Sequence, residues 1–436
     1  MFATQRYMLR IRRYFLRYHL LFHRRPKLKQ ILRAFLILIC GFLIINIING
    51  VLFSSILYLQ EDIHEPDYDL DTRPYYKTIE LKKRFDSSGN YLIVQNFVQY
   101  QSNLTKNADL LALNLHTNIE NLHSLLNHTK VWDGPISLSL YVKGARASDD
   151  IDYASIWFRC NRRLFKVLNV HLIMSAKAYE RSISNQHNTH SVKYAVSCQF
   201  INYINHTDET DSTPYPSNLL RNVARLGTPL LTVQYILTLD IDVYPAPDLF
   251  HHLVAFYTQT KTTEQFNRTL YVLPAFEIHL DAVKNSAPLP QNKNELILLW
   301  NDHQLQPYQA EVCPTCQFLT NYQAWKQEAS NDKIVPLFRP HYGHPWQPFY
   351  VGPKDVPTYD PRFKAHAHAR VSQCCESYVA GYDYVVLNNI YLYRLGFLVK
   401  SQLPDTELID DDTSLLLFEQ FREDLAKHYL NTTRKC

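Results

Sequence analysis

The run from Val233 to Pro247 sets the first constraint on this chain: an apolar, strand-like stretch that ends in Leu239, Asp240, Ile241 and Asp242 and is then broken by Pro245 and Pro247. Along a strand, residues i and i+2 share a face, so Asp240 and Asp242 are expected side by side where the strand stops. Two hard oxygen ligands at the open end of a buried strand suit Mn²⁺ or Mg²⁺ bridging to substrate phosphates, because such ions keep positions for water and ligand oxygens. The competing reading is a pair of solvated loop aspartates, since Asp-x-Asp is a common tripeptide.

The N-terminus says where such chemistry would take place. Residues 1–33 carry ten Lys or Arg and no Asp or Glu, and Ala34 to Leu59 follows without one charge. As a helix rising about 1.5 Å per residue, that stretch crosses a hydrocarbon core of roughly 30 Å with some tilt. It is too long for a signal-peptide apolar region and no small-x-small cleavage site follows, so the reading is an uncleaved single-pass anchor. Basic residues before it and acids after it (Glu61, Asp62, Glu65, Asp67, Asp69, Asp71) put the N-terminus in the cytosol and the rest in a lumen. The organisation expected is a cytoplasmic tail at 1–33, an anchor at 34–59, an acidic stem at 60–85 and a lumenal domain at 86–436.

The chain's +4 charge belongs to the tail: beyond it, 35 basic residues face 41 acidic ones. A nucleic-acid partner for the folded part therefore lacks electrostatic support, while the membrane is an expected partner. Cysteine use fits an oxidising lumen. Outside the anchor, which holds Cys40, there are Cys160, Cys198, Cys313, Cys316, Cys374, Cys375 and Cys436. Cys313 and Cys316 form a lone C-x-x-C with no second pair at zinc spacing, which favours a disulfide over a metal site. The odd count leaves one thiol free or bridging two chains, as in a homo- or hetero-dimer. Asn103, Asn127, Asn205, Asn267 and Asn431 sit in Asn-x-Thr acceptors and corroborate the lumenal reading.

About 360 residues past the stem are enough for one large α/β domain. Ile136 to Val142 reads as a first strand. Asn161 to Ser175 mixes helical and extended patterns, and Glu180 to Ser191 reads as a polar loop. Tyr215 to Leu226 reads as a helix with Pro216 in its first turn, leading into the strand that carries the aspartates. Strands alternating with helices predict a mostly parallel sheet covered on both faces, with ligands at the carboxyl ends of strands, where Asp240 and Asp242 fall.

Ordered motifs across roughly residues 130–436 then add a resemblance. Tyr215 to Ala224, Tyr235 to Asp242 and Leu273 to Glu277 come first, followed by Cys313 to Cys316, Thr320 to Tyr322, Trp346 to Tyr350, Val356 to Phe363 and Val379 to Asp383. Together they resemble the LARGE and beta-1,4-glucuronyltransferase family, and the closing Arg434, Lys435 and Cys436 are similar to the tail of its beta-1,4-glucuronyltransferase branch. The resemblance implies a GT-A fold, a Golgi type II membrane protein, Mn²⁺ dependence and a UDP-sugar donor, with UDP-glucuronate expected, transferred to a glycan or glycoprotein acceptor. Asp240 and Asp242 are then the metal ligands. Arg221 and Asn222 contact the nucleotide or Asp240, or form a helix-surface pair. Inverting transfer needs a carboxylate that takes the acceptor's proton. Glu277 is the candidate and Asp360 the reserve.

Three positions depart from the family pattern. Ala367 and Ala369 flank His368 where the family reads Gly-aromatic-Asn, and Arg394 stands where the family has a histidine resembling a third metal ligand. Arginine cannot ligate a cation but pairs bidentately with a diphosphate. Either the metal is held by fewer protein ligands, or Arg394 neutralises the phosphates partly in its place, or activity is lost; His366 and His368, at i and i+2, are candidates to replace the missing histidine. Three functions stay open: a glucuronyltransferase, a transferase with a changed donor, and a catalytically silent glycan-binding or helper member.

Overall fold

The structure, a computed structural model, describes residues 82–101, 110–143, 147–185, 198, 214–226, 233–259, 268–284, 289–331, 333–364, 368–400 and 412–436. The tail, the anchor at 34–59 and the stem up to residue 81 lie outside the described residues, as do Asn103, Asn205, Asn267, His366 and Ala367. Among the described residues no helix is long and apolar enough to cross a membrane.

Six strands open the fold: β1 (Lys82–Phe85), β2 (Tyr91–Gln101), β3 (Leu111–Asn118), β4 (Ile136–Val142), β5 (Val167–Ser175) and β6 (Tyr235–Asp240). Next come β7 (Val243–Pro245), β8 (Thr269–Val272), β9 (Ala275–Ile278) and β10 (Leu305–Pro307). The last four are β11 (Val335–Phe338), β12 (Tyr350–Pro353), β13 (Asp383–Asn388) and β14 (Leu392–Leu395). Ten of them form one sheet in the order β1-β2-β5-β4-β3-β6-β12-β8-β13-β11, and a second sheet runs β10-β9-β14-β7.

The large sheet is mixed, which corrects the expectation of a mostly parallel one. β3, β4, β5 and β6 pair in parallel, as do β8 and β13, but β12 enters antiparallel between β6 and β8, and β1, β2 and β11 add antiparallel pairs. Gly352 permits that insertion: a Cβ there would meet Leu270 Cδ2 at 2.6 Å. At the other edge β1 pairs with β2, so Lys82 to Phe85, assigned above to the stem, belong to the sheet.

Alternation along the strands divides the two faces. Leu113, Leu115, Leu237 and Leu239 point into the main core, where Ala154, Trp157 and Phe158 of the helix Ala147–Asn161 and Leu249, Phe250 and Leu253 of the helix Leu249–Gln259 also pack. Each fully buried leucine contributes about 2 kcal/mol. The opposite face takes the helix Ser217–Leu226, whose Leu220 and Val223 pack on Tyr91, Ile93, Tyr141 and Ile173. His116 on β3 and Asp240 on β6 alternate with those core leucines and thus lie on this helix-covered face, at register-matched positions.

Disulfides join Cys160 to Cys198, Cys313 to Cys316 and Cys375 to Cys436. The C-x-x-C is thus a disulfide. The leftover thiol, Cys374, is buried, and burial pushes it up to about 12, so it is protonated and unavailable for an interchain bridge.

Candidate active site

Two carboxylates meet at the carboxyl end of β6, in unlike environments. Asp240 closes the strand, whereas Asp242 lies in the turn between β6 and β7, so the two do not share a strand face as the i, i+2 spacing predicts. Three elements converge on Asp240. Its Oδ1 accepts from His116 Nε2 at 2.9 Å and from Arg221 Nη2 at 2.9 Å, and its Oδ2 accepts from Arg370 Nη2. Burial alone would raise its pKa, but Arg370, Arg221 and His116 hold the carboxylate well below the usual range. His116 is neutral near pH 7: burial and the Arg221 charge lower its pKa against the pull of Asp240. With Nε2–H facing Asp240, its Nδ1 accepts from the Tyr215 hydroxyl at 2.8 Å.

The arginines are set by packing. Arg221 lies on the helix Ser217–Leu226, where Ser217, Leu220, Arg221 and Ala224 share one buried stripe at helical spacing. Asn218 on the preceding turn accepts from Arg221 Nη1 at 2.9 Å and donates to the carbonyls of Asp360 and Ala369. Ala369 opens the helix Ala369–Val379, which delivers Arg370 beside Asp240, its guanidinium carbon 3.9 Å from the centre of the Phe349 ring.

Asp242 is open by comparison, its side chain 49% exposed, and its Oδ2 accepts from Arg394 Nε at 2.8 Å. Arg394 is on β14, matched with Val243 of β7 and with Glu277 of β9. Its Nη1 donates to Gly396 O at 3.1 Å, in a turn where Gly396 adopts φ +86, a conformation open to glycine at little cost. Between the two aspartates, Ile241 O accepts from the fully buried His128 Nε2 at 2.9 Å. That hydrogen bond pins the turn from the helix Leu125–Val131.

The expected donor-binding residues Arg221, Asp240 and Arg394 are therefore brought together. Asn222 is not among them: it exchanges hydrogen bonds with the backbone of Tyr359 at 2.6 and 2.8 Å, holding the segment that leads to Asp360. Neither candidate base presents an open carboxylate. Glu277 is fully buried, Oε1 accepting from Gln309 N and Oε2 from Gln306 Nε2 and Leu398 N, each at 2.9 Å. Asp360 is clamped by Arg362, which also reaches Asp424.

The donor set does not fit the divalent cation expected here. Both oxygens of Asp240 are taken by cationic or N–H donors, and the free edge of the turn offers Asp242 alone, already bonded to a guanidinium. His368 does not supply a ligand: its Nδ1 lies 3.1 Å from Ser414 Oγ and its ring stacks on Phe418. Among the described residues no group of three His, Cys, Asp or Glu is placed to hold a metal. Three guanidinium groups face Asp240 and Asp242, and Glu277 on the neighbouring strand also acts electrostatically on Arg394, so each carboxylate of the pair is matched by protein cations.

The family described as glycosyl-transferase for dystroglycan matches residues 110–430, a span that contains every side chain of this site. The chain belongs to this family. Within it, the chain is 32% identical to beta-1,4-glucuronyltransferase 1 of Danio rerio, over 81% of this chain and 83% of that protein. It is 30% identical to beta-1,4-glucuronyltransferase 1 of Homo sapiens, over 80% and 82%. It is also 26% identical to xylosyl- and glucuronyltransferase LARGE2 of Rattus norvegicus, over 71% of this chain and 38% of that protein.

His116, Arg370 and His128 were not legible as site residues of this glycosyltransferase. Arg370 follows the divergent Ala367 to Ala369 stretch, and that adjacency was the one available signal. His116 stands in a largely apolar run, and His128 is the middle residue of the Asn127 to Thr129 acceptor, so neither carried a site signal.

Proposed function

We propose that this chain is an inverting glycosyltransferase of the GT-A type that moves glucuronate from UDP-glucuronate to a glycan acceptor. We place it in the Golgi lumen, behind a single-pass anchor at residues 34–59. The observation that carries the reading is the arginine-framed aspartate pair at the carboxyl end of β6, in a chain about 30% identical to glucuronyltransferases over four-fifths of its length. In the reaction, the bond from sugar C1 to the β-phosphate oxygen breaks and its electron pair stays on UDP. The acceptor hydroxyl oxygen forms the new bond to C1, and its proton is lost to a base. Fixed positive groups aimed at the diphosphate stabilise the charge that develops there.

Asp240 acts in this scheme by orienting Arg221 and Arg370, and the neutral His116 holds Asp240 without adding charge. The test is free UDP released by the purified protein from a panel of UDP-sugars, with and without xylose-terminated acceptors. Acceptor-stimulated release from UDP-glucuronate supports the proposal. Release from another UDP-sugar alone shows a changed donor, and release from none shows a non-catalytic glycan-binding or helper protein.

A further inference from the structure

We infer that Arg394 occupies the place of a divalent cation, so that this transferase binds the diphosphate of its donor through guanidinium groups and without a metal ion. The inference rests on the UDP-sugar reading above and deepens it.

The argument starts from coordination. A cation that bridges a diphosphate is held by one or two carboxylates together with phosphate oxygens and water, and it competes with any cation already on those carboxylates. Asp240 is crowded by cations, because Arg221 and His116 share its Oδ1 and Arg370 donates to its Oδ2. Asp242 offers one carboxylate, and Arg394 Nε sits on it. A cation entering there would stand beside the Arg394 guanidinium, carried on a strand that is paired on both sides, by β7 and β9.

The same geometry suits an anion. Arg394 spends Nε on Asp242 and one Nη1 proton on Gly396 O, and its Nη2 has no protein partner among the described residues. Its side chain is 21% exposed and that of Asp242 is 49% exposed, so the pair lies at the mouth of the site rather than in the core. An ion pair this open is weak and exchanges readily for a better acceptor. A diphosphate is such an acceptor: it carries more charge than one carboxylate and takes the planar guanidinium fork bidentately. Arg221 and Arg370, neutralised in part by Asp240, supply a fixed positive background behind it. A guanidinium stays charged across the physiological pH range, so the arrangement works without metal loading.

The test is isothermal titration calorimetry of UDP into the purified full-length protein, first in EDTA and then in millimolar Mn²⁺. The inference expects UDP to bind in EDTA with a Kd within about threefold of that in Mn²⁺, and Arg394→Gln to weaken binding in EDTA at least tenfold. Arg394→Lys, which keeps the charge but loses the fork, is expected between the two. Thermal melting of each variant within a few degrees of the parent establishes that folding is intact, and Arg394→Lys binding as weakly as Arg394→Gln in a folded protein still counts for the fork. UDP binding that appears only with Mn²⁺, or that is unchanged in Arg394→Gln, overturns the inference while leaving the transferase reading in place. Absence of UDP binding in both buffers overturns the two together.

Discussion

Arg394 Nε lies 2.8 Å from Asp242 Oδ2, so the outer aspartate of the pair is already neutralised by the chain's own side chain. The inner one, Asp240, is held by two more arginines. The pair that reads in sequence as a metal grip is in space matched by three guanidinium groups.

The two aspartates differ in what their loss leaves behind. Asp240→Asn strands Arg221 and Arg370, both under a tenth exposed, and is expected to destabilise the protein by about 3–5 kcal/mol. Asp242→Asn breaks a half-exposed pair and is expected to change stability by under about 1 kcal/mol. Urea unfolding midpoints check this, and equal shifts for the two variants would contradict the placement of Asp240.

His128 gives the fold a pH dependence. Burial lowers its pKa from 6.5 to about 4, and its Nδ1 has no acceptor, so protonating it in the folded protein buries an unpaired charge. The unfolded chain takes up that proton first. The contribution is therefore fully present above pH 6.5 and is lost as pH falls toward 4, up to about 3 kcal/mol. His128→Gln keeps a donor but cannot charge, and melts recorded from pH 7 to 4.5 should show a shallower decline for that variant. Parallel declines would mean that other groups carry the effect.

Glu277 behaves as a strut in this geometry, tying β9 to Gln306, Gln309 and Leu398. Glu277→Gln turns an acceptor into a donor against these N–H groups and is expected to lower stability by about 1–3 kcal/mol. If the melt is unchanged while UDP release falls a hundredfold, Glu277 is the base and the strut reading fails.

Topology is tested by glycosylation. Asn127 and Asn431 are exposed, so Asn127→Gln and Asn431→Gln should each remove one glycosidase-sensitive mobility step from the protein expressed in cells. A tag before Met1 should be cut by protease in intact microsomes, and its protection would overturn the cytosolic placement of the tail.

Local structure was legible where local chemistry decides it. The strand Ile136–Val142, the helix Ser217–Leu226 after Pro216 and the Cys313–Cys316 disulfide all follow from periodicity, a helix-start residue or spacing. The segment from Glu180 differs because helix Ala176–Asn185 runs into what reads as a polar loop. Asp240 shows where legibility ends. Its partners His116 and Arg370 are 124 and 130 residues away, joined through strand register and a helix docking that no window of sequence contains. The antiparallel entry of β12 is likewise a tertiary choice, settled by what packs against Gly352.

The most direct test of the account is the mass of a defined xylose-terminated acceptor after incubation with the purified protein and UDP-glucuronate. The account predicts an acceptor heavier by one glucuronyl unit, formed in step with free UDP and abolished in Asp240→Asn. An acceptor of unchanged mass with every UDP-sugar, from a folded protein that binds UDP, would contradict it.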